Sequence, residues 1–108
     1  MKPLLIGLSL AASMLLATGS AMAQGAANPP PQAQQCIVCH GVSGLSNTPD
    51  APHLAGQPRL YLVAQLKAYR NGTRQHAVMN VIAKPLTDND ISSVADWFTA
   101  MTISVQMP

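Results

Sequence analysis

The stretch Cys36-Ile37-Val38-Cys39-His40 holds three side chains whose types and spacing could do chemistry. On a helix, its two thiols lie about one turn apart, so both can meet one edge of a ligand. That spacing suits two thioether bonds to the vinyl groups of a haem, with the adjacent imidazole reaching over the porphyrin plane to the iron. Other uses of C-x-x-C fit less well. A thioredoxin-like redox pair expects a βαβ context, and nothing in this chain alternates at period two over a strand's length. A structural zinc site needs four ligands, and the spacing of His53 and His76, the only histidines left to complete one, matches no zinc pattern. A structural disulfide, the default in an oxidising compartment, would leave His40 unexplained.

The elements that must position these groups read as short helices joined by long loops. A helix starting near Gln32 carries Cys36, Cys39 and His40 and is ended by Gly41 and Gly44. Residues 43–58 are dense in Gly, Pro, Asn and Ser and read as a long ordered loop, which in a small domain usually wraps around something. Pro58 opens a second helix that Asn71-Gly72 closes, and Leu62, Leu66 and Tyr69 give it one apolar face. A helical turn is expected over residues 78–83. Thr87 with Asp90 then makes a capping-box start for a last helix, whose buried stripe is Ile91, Val94, Ala95 and Phe98. No sheet and no internal repeat are expected.

Composition sets the boundaries of the reading. The chain has 108 residues, 48% hydrophobic and 9% charged, which fits one small folded domain. Lys2, an apolar run from Leu4 to Ala17 and the small-x-small pattern Ala21-Met22-Ala23 read as a cleavable export leader at residues 1–23. Residues 24–31 are then a Pro-rich flexible lead-in, and residues 32–108 the domain. Beyond the leader, five Lys/Arg face four Asp/Glu. So near-neutral a balance excludes a general nucleic-acid binder. No apolar run in the mature chain is long enough for a membrane span. A domain this small is marginal on its own core and gains from a cofactor or other staple.

With CIVCHG, APHLAGQPRLYLVAQLKAYRNGTR, HAVM and LTDNDISSVADWF in this order, residues 33–101 resemble the monohaem class I cytochromes c. The likeness is greatest to the small bacterial periplasmic branch, including single domains of the tandem dihaem type. The resemblance implies an all-α, compact class I fold of three to five short helices and long loops around one covalently attached haem c. It implies Met79 as the second axial ligand of the iron, opposite His40. The other candidates are Met101, expected to continue the buried stripe of the last helix; Met107, in the tail; and His76 and His53, expected as loop side chains. It further implies that the carbonyl of Pro52 accepts a hydrogen bond from His40, that Leu54 and Leu66 line the haem pocket, and that Trp97 packs where the last helix meets the first.

A haem iron with protein ligands on both faces has no open position for a substrate and serves electron transfer. The expectation is therefore a periplasmic carrier cycling between Fe(II) and Fe(III), not an enzyme, meeting redox proteins as a monomer or in transient complexes. The alternative is an electron-accepting haem subunit held by a larger dehydrogenase or oxidase. Docking could use a small apolar rim contributed by Ala51, Ala77 and Val78. A patch formed by Arg59, Lys67, Arg70, Arg74 and Lys84 is the other possibility.

Overall fold

The computed structural model describes residues 28–108, so the export leader and the first half of the Pro-rich lead-in, residues 24–27, lie outside the described residues. Four α-helices follow a single 3₁₀ turn at Pro31–Ala33: α1 (Gln34–His40), α2 (Arg59–Asn71), α3 (Ala77–Ala83) and α4 (Asp88–Thr99). No strand occurs among the described residues. The lead-in ends one residue earlier than its composition suggests, because Pro31 already belongs to the 3₁₀ turn, where its fixed φ suits a first helical position.

The helix ends follow from local chemistry. Gly41 stops α1 at φ 86°, a left-handed-side conformation, and a Cβ there would lie 2.1 Å from the carbonyl oxygen of Leu45. Gly72 closes α2 in the left-handed αL conformation. Thr87 and Asp90 form a reciprocal capping box at the start of α4, with Asp88 and Asp90 at the positive end of its dipole.

Packing joins α2 to both α3 and α4, and α4 to the 3₁₀ turn, while the backbones of α1 and α3 stay apart on either side of the core. The core is built from Leu62 and Leu66 of α2, Ala83 and Leu86 around the end of α3, and Ile91, Val94, Ala95 and Phe98 of α4. Phe98 and Ile91 are its largest fully buried side chains. Trp97 is partly buried against this cluster. Met101 packs on it too, but from the coil after α4 rather than from the helix: α4 ends at Thr99, and the Met101 sulfur rests beside Gly44.

Candidate functional site

A crevice of about 210 Å³ opens between α1, the loop of residues 43–58, α2 and α3. α1 contributes Cys36, Cys39 and His40 to its lining. Pro52 and Leu54 come from the loop, Leu62 and Leu66 from α2, Met79 from α3, and Val94 and Phe98 from α4. All seven residues singled out from sequence as cofactor or iron contacts, Cys36, Cys39, His40, Pro52, Leu54, Leu66 and Met79, therefore meet in one place. Met101, Met107, His53 and His76 do not line it.

On the α1 side, His40 is buried, and its Nδ1–H donates to the carbonyl oxygen of Pro52 at 2.7 Å. That bond fixes the ring and leaves Nε2 as the nitrogen available for a metal. The loop that delivers Pro52 is itself tied down. Ser46 Oγ donates to the carbonyl of Cys39, and the Ser46 amide donates to Nδ1 of His53. The amides of Leu54 and Ala55 donate to the carbonyl of Gly44. Gly44 is required here, since a Cβ would come within 2.8 Å of the Ala55 nitrogen and 2.9 Å of the Met101 sulfur.

The two thiols have different surroundings. Cys36 is buried and Cys39 exposed. Burial pushes the Cys36 thiol up to about 11. A redox-active C-x-x-C pair works through a thiolate stabilised at low pKa, so this environment is the reverse of what thiol–disulfide exchange needs.

On the α3 side, Met79 is partly buried against the core cluster. Its helix is anchored by two neighbours. His76, expected as a solvated loop side chain, is instead the N-cap of α3, its Nδ1 accepting from the amides of Val78 and Met79. The capping nitrogen satisfies amides that the helix itself leaves open. Asn80 accepts from the His76 amide at 2.6 Å and donates to the carbonyls of Tyr69 and Arg74, each at 2.8 Å. Sequence reasoning missed Asn80, although a lone amide inside the apolar run AVMNVIA was the available signal.

The cluster of basic residues does not form one free patch. Arg59 pairs with Asp96 at 2.5 Å, and Arg70 and Lys67 pair with Asp88 at 2.6 and 3.4 Å. Of the expected apolar rim, Val78 lines the crevice and is half exposed, whereas Ala51 and Ala77 lie outside its lining. Tyr61 is a further half-exposed lining residue.

The arrangement fits a haem. The lining is predominantly apolar and contains no carboxylate, both cysteines of α1 take part in it, and an imidazole with one ring nitrogen already engaged shares the crevice with a thioether sulfur. Thioether and imidazole are a recognised axial pair for haem iron.

Comparisons with known proteins point the same way. The family model described as Cytochrome c matches residues 27–101. Over 73 residues the chain is 40% identical to the thiosulfate dehydrogenase electron acceptor of Thiomonas intermedia, covering 67% of this chain and 34% of that protein. It is 36% identical over 108 residues to cytochrome c4 of Pseudomonas aeruginosa, covering 99% of this chain and 52% of the relative. Cytochrome c-554(548) of Halomonas halodenitrificans is 38% identical over 68 residues, 60% of this chain and 82% of that one. Among solved structures, Acidithiobacillus ferrooxidans cytochrome c4 superposes with a TM-score of 0.58 at 38% identity, over 60% of this chain and 38% of the other. The chain thus spans a third to a half of the length of the first and second of these relatives.

Proposed function

The chain belongs to the cytochrome c family, which carries haem c covalently, and we propose that it is an exported one-electron carrier with histidine–methionine ligation. When bound, haem would supply Fe(II)/Fe(III) cycling, and a methionine–histidine ligand pair would favour the reduced state. Every other role falls to side chains of this chain. Cys36 and Cys39 would hold the haem through thioethers, and His40 and Met79 would supply the two protein ligands of its iron. The Pro52 carbonyl sets the orientation of the His40 ring, and Leu54 and Leu66 in the lining would help keep water from the bound group. The observation that carries the reading is the meeting of an oriented imidazole and a thioether in one apolar crevice beside the C-x-x-C pair.

The amino-terminal leader of residues 1–23 is the basis for proposing a periplasmic location, with Gln24 as the mature terminus. Among the described residues, no helix is long and apolar enough to cross a membrane. With three of the five basic residues already paired to acids, the carrier meets its partners through the apolar rim around Val78 and Tyr61 rather than by long-range charge steering. The relative named as a thiosulfate dehydrogenase electron acceptor favours one variant of this reading, in which the electron donor is a dehydrogenase.

Intact mass tests the attachment. Expressed in a bacterium able to mature c-type cytochromes and extracted with acid and organic solvent, the protein should retain the mass of Gln24–Pro108 plus one haem. Haem leaving into the organic phase, with an unmodified polypeptide, would overturn the proposal. Size measurement of the native material then separates a free carrier from a subunit that co-purifies with a dehydrogenase.

A further inference from the structure

Arg74 stands apart from the other cations near the crevice. Arg59, Lys67 and Arg70 each reach a carboxylate, as described above. Arg74 lines the crevice and has no carboxylate within ion-pair distance among the described residues; Lys84 has none either but lies away from the crevice. The titratable groups sharing that lining are Cys36, Cys39 and His40 from α1 and Tyr61 and Tyr69 from α2, so no acid of the chain answers the guanidinium there.

This side chain is nevertheless held in place. Its Nη1 donates to Oε1 of Gln65 at 2.7 Å, and the guanidinium lies 4.7 Å over the Tyr69 ring. Its backbone is gripped as well: the carbonyl accepts from Asn80 and the amide donates to the carbonyl of Ala68. A guanidinium carries five N–H donors in a flat fork, and only one of them is engaged in a hydrogen bond here. A cation positioned by stacking, with its remaining donors free at the solvent-exposed edge of an apolar crevice, suits an anion brought by whatever fills the crevice. A forked carboxylate is the group whose geometry matches.

We propose that Arg74, steadied by Gln65 and Tyr69, is the anchoring site for one propionate carboxylate of the haem. The inference rests on the haem reading given above. It makes Asn80 a shared strut, since one amide holds both the backbone of Arg74 and the helix that carries Met79.

The test follows the propionate carboxyl carbons directly by NMR, in ferrous holoprotein carrying ¹³C-labelled haem, through an acid titration. One carboxyl of the wild-type protein should titrate below the other. Arg74→Gln should raise its midpoint by about one pH unit or more, as expected when an adjacent cation is lost, and leave the other carboxyl unmoved. Arg74→Lys should restore part of the shift, and Lys84→Gln, removing an equal charge elsewhere, should restore or shift nothing. The proposal is overturned if both carboxyls titrate identically in wild type and Arg74→Gln, or if Lys84→Gln moves them as much. Absence of haem from the intact mass is a separate outcome and would defeat the underlying reading before any titration.

Discussion

His40 is held by its own ring, whose Nδ1–H donates to Pro52, whereas the Met79 thioether takes its position from the backbone around it. The first side of the crevice is a short helix knotted to a long loop through Ser46, Gly44 and Pro52. The second is a seven-residue helix braced at its start by His76 and across its width by Asn80. A hydrogen-bonded imidazole is oriented before any metal arrives, while a thioether, with no donor of its own, depends on its scaffold. The methionine side is therefore the one more easily lost.

The largest effect should come from removing what joins the two sides. The backbones of α1 and α3 do not approach each other directly, so a group filling the crevice between them would add a bridge that the protein core supplies only indirectly. A Cys36→Ser/Cys39→Ser variant, unable to form thioethers, should lose most of its helical circular dichroism and its cooperative melt. A cooperative, near-native melt without haem would show that the protein core alone suffices.

Asn80→Ala comes next. It removes three hydrogen bonds from the methionine side and none from the histidine side. At around 1 kcal/mol net per bond, discounted because the groups left behind are partly wetted, we expect a loss of roughly 2 kcal/mol in holoprotein denaturation. The same variant should displace the methionine ligand at lower denaturant than wild type, with His40 ligation retained. Simultaneous loss of both ligands would mean that the two sides are not independently held.

Smaller still is Thr87→Ala, which opens the capping box of α4 beneath both sides and should cost about 1 kcal/mol without favouring either ligand. Acid acts on the same helix. Hydrogen bonding to Arg70, with Lys67 nearby, holds Asp88 below its ordinary value, and the Thr87 amide does so for Asp90. A carboxylate depressed in the folded state gives stability that is full above its unfolded value near 4 and fades as pH falls through the folded one. The urea midpoint should hence decline below about pH 4, and Asp88→Asn should make that decline shallower.

The histidine side was legible in the sequence because its chemistry is local: two cysteines, a histidine and a glycine within six residues define both the helix and its end. The helices α2 and α4 were legible for the same reason, through apolar spacing and the Thr87–Asp90 cap. The supports of the methionine side were not, because they depend on partners brought close only by folding. Asn80 reaches back to Tyr69, eleven positions away, and His76 becomes a cap only once the chain before α3 is extended. Likewise the basic cluster dissolves through pairs that join α2 to α4 across 18 to 37 residues. Met101 fell outside the expected helix since α4 stops two residues sooner than its apolar stripe suggests.

The ligand pair itself is read most directly from the far-red sulfur-to-iron charge-transfer band of ferric holoprotein. The band should be present in wild type, absent in Met79→Ala, and retained in Met101→Ala and Met107→Ala. A band that survives Met79→Ala, or vanishes with Met101 or Met107 instead, would contradict ligation of one iron by His40 and Met79.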